Sequence, residues 1–388
     1  MGNSRNLANL LGTGSTIASA KIADDAITSA KIADDAVTVA KLSNTAPLGR
    51  RRMTINGAMN VAERGTSFTG KTTSHYCVDR YQVEITTAGT WSTSQSTTSP
   101  DGFAKSLKLD CTTADSSLGS GDLMRIVYKF EGQDMQHLLY GDSGAKEMVL
   151  SFWVRSNKTG TYNLQFQQAD NSYKQVVKSF VINTADTWEQ KEVTIPGDTS
   201  GVINDDNGEG FRICWVLAAG STFTGGSERL TWTTFANADV APTQTVNLAD
   251  STSNEFYLTG VQLEIGSSKT EFEYRKYSEE QQQCKRYFQS VSDHYYNANR
   301  HNDSHWDGHI PAGHHEFHPE MRAAPTTSGL DVDGWLDGES GWRSESTTAA
   351  SPTGMTSKKV NFTGVFNWHG NYNDTHGWRF YADYDAEL

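Results

Sequence analysis

A ten-residue repeat near the amino end constrains this chain more than any other feature. Ser19-Ala-Lys-Ile-Ala-Asp-Asp-Ala-Ile-Thr28 is followed by Ser29-Ala-Lys-Ile-Ala-Asp-Asp-Ala-Val-Thr38 and then by a degenerate Val39-Ala-Lys-Leu42. Repeats set architecture before single residues do. Lys21, Lys31 and Lys41 keep the period, while Ile22, Ile27, Ile32, Val37 and Leu42 fall every five residues. A step of five suits neither regular element. Along an α-helix it scatters the apolar side chains around the surface, and along a strand it sends successive ones to opposite faces. One copy cannot bury such a pattern. Three parallel copies about a common axis can, each apolar residue meeting its symmetry mates in a layer while the Asp-Asp turns face water. Residues 19–47 are therefore expected to form the stalk of a homotrimer, with a low-complexity linker as the alternative.

The flanks divide the rest of the chain. Leu7, Leu10 and Leu11 share one side of a short helical stretch that has no local core, so residues 1–18 are expected to dock on another protein. After Arg50-Arg51-Arg52 the pattern turns to strand-like alternation. In residues 147–155, Met148, Leu150, Phe152 and Val154 share one face, and Lys158-Thr159-Gly160 predicts a hairpin turn into Tyr162, Leu164 and Phe166. Similar runs at 123–130, 175–182, 189–195, 211–217 and 255–265 are separated by Gly, Asn, Asp and Ser clusters. Many short strands with polar turns predict a mainly β chain whose residues 48–275 form a jelly-roll β-sandwich. Trp153, Trp188 and Trp215 sit in apolar strand patterns and are expected in its core. A connecting helix is expected within residues 276–290, capped by Ser278, with Glu279 and Glu280 at its positive end. Residues 291–388 read as a separate, small β-rich domain, because nine of the eleven histidines and five of the ten tryptophans fall there.

Composition removes several functions. The chain of 388 residues has a formal charge of -13, which is the wrong sign for a general nucleic-acid binder. No apolar run approaches the roughly 18 residues of a membrane span, so no membrane insertion is expected. Cys77, Cys111, Cys214 and Cys284 form no Cys-x-x-Cys and read as free thiols. No Gly-x-Ser-x-Gly elbow, phosphate loop, His-Glu-x-x-His or dinucleotide fingerprint is present, so the chain reads as a non-enzyme. The densest acidic cluster, Asp331, Asp333, Asp337 and Glu339, would be the place for a glycosidase carboxylate pair; surface turns are the alternative.

Binding chemistry concentrates in the last hundred residues. Trp306, Trp335, Trp342, Trp368 and Trp378, with Tyr372, are the candidates for receptor contact, since flat aromatic faces suit the C-H faces of sugars while nearby Asp, Asn and His take hydroxyls. Trp335, Trp342 and Trp378 each follow a glycine and are expected in turns. His301, His305, His309, His315 and His318 are candidate ligands for a divalent metal, made threefold by a trimer axis; a polar hydrogen-bonded surface is the alternative. Calcium is the candidate near Asp205 and Asp206, in the oxygen-rich run Asn204-Asp-Asp-Asn-Gly-Glu209, against an ordinary turn.

Several motifs together carry a resemblance. The Lys-Ile-Ala-Asp-Asp-Ala-Ile-Thr repeats, Ile55-Asn-Gly-Ala-Met-Asn-Val-Ala-Glu-Arg-Gly65 with Asp79-Arg80-Tyr81, Leu150-Ser-Phe-Trp-Val-Arg-Ser156, Leu258-Thr-Gly-Val-Gln-Leu-Glu-Ile-Gly266 and Met321-Arg-Ala-Ala-Pro325 are similar to segments of tail-fibre and receptor-binding proteins of tailed bacteriophages, especially those of aquatic and cyanobacterial hosts. That resemblance implies a homotrimer of the virion tail, made in the host cytoplasm. Its amino end would join a tail or adaptor protein and its carboxy end a host-surface glycan or protein, with a carbohydrate-module-like sandwich between. A capsid-decoration or adaptor protein without receptor, and a polysaccharide depolymerase, are the rival expectations.

Overall fold

The computed structural model describes residues 50–297, 312–336, 343–344, 351–353, 355–363 and 376–388. Leu7, Leu10, Leu11 and the stalk residues Ile22, Ile27, Ile32, Val37 and Leu42 lie outside the described residues. From residue 67 to 265 the chain alternates strands and turns: β1 (Ser67–Lys71), β2 (His75–Tyr76), β3 (Tyr81–Thr86), β4 (Thr90–Ser96), β5 (Ser106–Thr113), β6 (Leu123–Glu131), β7 (Met148–Ser156), β8 (Gly160–Gln168), β9 (Lys174–Ile182), β10 (Glu189–Ile195), β11 (Glu209–Ala219), β12 (Arg229–Thr233) and β13 (Glu255–Ile265). They form two antiparallel sheets, one ordered β1-β4-β5-β13-β7-β10 and the other β12-β9-β8-β11-β6-β3-β2. The chain is mainly β, as expected, and the sheets pack as a sandwich.

Alternation builds the core between the sheets. Met148, Leu150, Phe152 and Val154 of β7 are buried against Tyr162, Leu164 and Phe166 of β8 and Phe211, Ile213 and Trp215 of β11. Phe152 meets Phe180 and Trp215 edge-on, with centroids 5.2 and 5.8 Å apart, the geometry that aromatic quadrupoles favour. Trp215 is core, as its pattern predicts. Trp153 and Trp188 are not: both are only half-buried. Trp153 is out of phase with Phe152 and Val154, so the alternation that buries those two sends it to the outer face.

β7 and β8 are not the hairpin that their turn predicts. β7 pairs with β10 and β13, and β8 with β9 and β11, so residues 157–159 arch from one sheet to the other. Gly160 takes φ 137°, and a Cβ there would stand 2.7 Å from Val246 Cγ2. A turn signal reports that the chain reverses; whether the reversal stays within one sheet depends on distant partners.

A polar knot joins the sandwich to the C-terminal third of the chain. Helix α1 (Tyr277–Cys284) begins after Lys276, and no side chain caps it; Ser278 lies inside the first turn rather than at the cap. Its buried Glu280 instead pairs with buried Arg52 and accepts the Asn56 N–H at 2.6 Å. Glu273 accepts the N–H groups of Arg51 and Arg52 at 2.6 and 2.8 Å. The Asn56 side chain bridges Val61 and the Asp79 carbonyl, while Asp79 accepts from Glu63 N–H at 2.7 Å and Arg64 at 2.8 Å. Residues 55–65 and 79–81, the two motif segments, are thus one structural unit.

Beyond α1 lie β14 (Phe288–Asn297), β15 (Ala312–Glu316), β16 (Thr326–Leu336), β17 (Arg343–Ser344), β18 (Ser351–Thr353), β19 (Lys359–Thr363) and β20 (His376–Asp385), in sheets ordered β14-β20-β16-β17 and β15-β19-β18. Phe288, Phe317, Met321, Val360 and Tyr384 are buried there. This module holds the knot through Arg64 to Asp385 at 3.0 Å, Arg80 to Glu387, and Arg286 to Glu131 at 2.7 Å.

Candidate functional site

Open sheet faces ordinarily carry charged and hydroxyl side chains that stay hydrated. On the outer face of the second sheet, Asn163, Gln165, Gln167 and Gln175 are instead buried. In β8, Tyr162, Leu164 and Phe166 point into the core, which turns Asn163, Gln165 and Gln167 outward. Cross-strand register then lines them up with partners far away in sequence. One row runs Gln175, Gln167, Arg212, Lys129; the next runs Val177, Gln165, Cys214, Val127, Gln82; a third runs Ser179, Asn163, Val216, Arg125, Glu84. Each step across a row is about 4.8 Å.

Loops wall this face into a cleft. Residues 221–245 cover the third row, where Val216 packs with Val240 and Ala241 and Asn163 Nδ2 donates to Thr243 Oγ1 at 2.9 Å. Of the first two rows, Gln175, Val177, Gln165, Cys214 and Val127 are buried as well, and Arg212, Lys129 and Gln82 are the partly exposed positions of the floor. Tyr173, between β8 and β9, is 41% exposed, and its ring centroid lies 4.6 Å from Arg212 Cζ. Phe235, 37% exposed, follows β12 next to Ala236, whose carbonyl accepts from Gln175 Nε2 at 3.3 Å.

The charges of the floor are neutralised within it. Arg125 Nε donates to Glu84 at 2.7 Å, and Arg212 makes a two-pronged pair with Glu209, its Nη2 arm at 2.8 Å. Burial alone would depress the Arg212 guanidinium, but the hydrogen-bonded Glu209 raises it instead. Burial pushes the Cys214 thiol up, so it stays protonated and inert between Gln165 and Val127.

The amides are only partly satisfied. Gln165 Nε2 donates to Gln175 Oε1 at 2.7 Å and its Oε1 accepts from Arg125 at 3.3 Å. Gln167 makes no side-chain hydrogen bond among the described residues, and Gln82 Oε1 and Asn163 Oδ1 are the amide oxygens of this face buried without one. A buried amide without a partner costs about 1–3 kcal/mol. A carboxamide offers donor and acceptor side by side, which matches two neighbouring hydroxyls, and aromatic walls suit the C-H faces between them.

The residues singled out by sequence lie elsewhere. Trp306, Trp342, Trp368, Tyr372, Asp337, Glu339, His301, His305 and His309 are outside the described residues. Trp335 and Trp378 fall in β16 and β20 rather than in turns, with Gly377 opposite Trp335 and Gly334 opposite Trp378; each glycine sits across from a tryptophan, so the Gly-Trp pairs mark register. Asp331 and Asp333 are also in β16. The His315 ring packs on Tyr384 and Phe317, and His318 is exposed 3.7 Å from Glu316. Asp206 closes the turn before β11 by accepting Gly208 N–H at 2.8 Å, and Asp205 is exposed. Among the described residues no group of three or more His, Cys, Asp or Glu is placed to hold a metal. The cleft glutamines were missed. Their signal was Asn163-Leu-Gln165-Phe-Gln167, a run whose three outward positions are all uncharged amides.

No protein-family model matches the chain, and no curated protein matches it. Among solved structures it is similar to the enzymatically active domain of bacteriophage CBA120 tailspike protein 4, at 10% identity and a TM-score of 0.29, over 55% of this chain and 21% of that one. It is also similar to the C-terminal family 22 carbohydrate-binding module of Clostridium thermocellum Xyn10B, at 9% identity and TM-score 0.28, over 52% and 95%. A family 11 carbohydrate-binding module of a C. thermocellum cellulosomal cellulase gives 13% identity and TM-score 0.24, over 53% and 89%. The chain spans about a fifth of the tailspike domain. At TM-scores this low, the likenesses decide nothing about what the chain binds.

Proposed function

We propose that the chain binds a neutral glycan, without cleaving it, in the cleft on the outer face of the second sheet. The observation that carries this reading is the floor row in which the Gln167 amide makes no hydrogen bond to the described residues, between Gln175 and Arg212 and near the exposed ring of Tyr173. Arg125 is paired with Glu84 and Arg212 with Glu209 inside the protein, so neither guanidinium is free for a polyanion to meet. In this reading the sandwich is the glycan-binding arm of a trimeric phage tail fibre, anchored at the virion through residues 1–18. The Lys-Ile-Ala-Asp-Asp repeats and the fibre-like motifs support that setting. Avidity from three copies would raise a weak single-site affinity.

Affinity electrophoresis through gels containing neutral or acidic polysaccharides tests it. Retardation by at least one neutral polysaccharide is expected, lost in Gln167→Ala and in Tyr173→Ala while the melting temperature holds. Retention that both variants share with the parent, or retardation by acidic polymers alone, refutes it.

A further inference from the structure

The tail that follows β20 closes one end of the same cleft. The row Gln175, Gln167, Arg212, Lys129 ends against Arg80, whose Nη2 donates to the Lys129 carbonyl at 2.7 Å. Both basic residues are taken up by the tail. Lys129 Nζ donates to the main-chain oxygen of Leu388 at 2.6 Å, and Arg80 pairs with Glu387. The tail is held from behind by Arg322, which donates to the Ala386 carbonyl at 2.8 Å and the Glu387 carbonyl at 3.1 Å. Arg322 is itself hooked to the loop before β11, giving a bond to the Asn207 carbonyl at 2.7 Å and receiving one from Asn207 Nδ2 at 2.6 Å. Glu387 also lies 3.5 Å from Arg64 in the knot. One short segment therefore touches the floor of the cleft, the C-terminal module and the junction between them.

Resting on the glycan-binding reading above, we propose that residues 386–388 are a gate. A short oligosaccharide sits beside Gln167 and Tyr173 without reaching the tail. A longer one, running along the row at about 4.8 Å per strand, needs the place of Leu388 on Lys129 and lifts the tail away. Glu387 then leaves Arg80 and Arg64, and the C-terminal module loses part of its attachment to the sandwich. Occupancy by a long chain and undocking of the tail are two ends of one equilibrium, so each favours the other by the same factor.

The test compares a trisaccharide with a hexasaccharide, using xylotriose with xylohexaose and cellotriose with cellohexaose, by calorimetric titration of the full chain. Arg322→Ala loosens the tail without touching the floor, and is expected to tighten hexasaccharide binding about fivefold, at the low end of ordinary coupling, and to leave the trisaccharide unchanged. Hydrogen exchange on the unaltered protein gives the reciprocal reading independently of any variant. The Ala386 N–H, bonded to the Tyr287 carbonyl at 2.8 Å, and the Glu387 N–H, bonded to Asp385 at 2.9 Å, should exchange faster with hexasaccharide and not with trisaccharide. Equal effects of the two lengths on exchange, or protection of the tail by the hexasaccharide, overturn the gate while leaving the cleft intact. Binding of neither length removes the cleft reading and the gate with it.

Discussion

Glu280→Gln is the sharpest test of how the knot is held. Arg52 and Glu280 are both buried, and the carboxylate also receives the Asn56 N–H. Removing one partner of a buried ion pair costs about 3–5 kcal/mol, because the other charge is left in a poorly hydrated place. Two local features place the expected loss in that range. Glutamine keeps an oxygen for Asn56, which moves it down. Arg52 moves it up: burial and the nearby Arg275 already lower its pKa to about 10, and its Nε and Nη1 are buried without partners. A loss of about 3–4 kcal/mol follows, which corresponds to a fall of about 6–8 °C in melting temperature for a large domain. Urea unfolding followed by circular dichroism measures it. Arg52→Met should cost a similar amount, and the double variant should recover much of the loss, since it leaves no buried charge without its partner. A Glu280→Gln protein within about 1 kcal/mol of the parent, or strictly additive variants, would show that the pair does not hold segment 50–64 on α1.

Two further outcomes rest on other parts of the molecule. Burial pushes the Asp79 carboxyl up to about 6 despite Arg64 beside it, so the folded state binds its proton more tightly than the unfolded chain. That contribution is complete below the unfolded value of 3.8 and is lost as pH rises through 6; relative to Asp79→Asn, the parent should lose roughly 2–3 kcal/mol across that window, and parallel urea profiles from pH 4 to 7 would contradict the shift. Gly260→Ala forces a side chain onto φ 60° and puts a Cβ 2.8 Å from both Phe103 Cζ and Trp153 Cδ1; a loss of about 2–3 kcal/mol with altered tryptophan fluorescence is expected, and neutrality would mean that the two rings move aside freely.

Local periodicity made the apolar faces legible in the sequence. The burial of Trp215 and the inward sides of β7, β8 and β11 come from alternation alone, and so does the outward position of Trp153, whose phase outweighs its residue type. The arch at Gly160 was not legible, because the same turn residues serve a hairpin and a crossing between sheets. Glu280 looked like a favourable first-turn charge on a helix; its partner Arg52 is 228 residues away. The cleft was hidden for the same reason. Gln165, Gln167 and Gln175 read as an ordinary wet strand face until tertiary packing buries them.

The knot and the cleft use polar burial in opposite ways. In the knot, buried charges meet opposite charges, as with Arg64 and Asp79 or Arg286 and Glu131, and the result is a fixed path for the chain. In the cleft amide oxygens are left over, at Gln82 Oε1 and at Asn163 Oδ1. A fold under selection for stability alone would pair or replace them, since an unpaired buried amide is a direct loss. Retaining uncharged groups that can both give and accept, beside guanidinium groups already paired with Glu84 and Glu209, favours a ligand that hydrogen-bonds on all sides and carries no charge. The tail is where the two schemes meet. Glu387 belongs to the matched set on Arg80 and Arg64, and the residue after it covers Lys129 at the end of the unmatched row. A ligand long enough to claim Lys129 must therefore act on the network that holds the C-terminal module, which is why chain length, more than sugar identity, should decide whether binding is felt beyond the cleft.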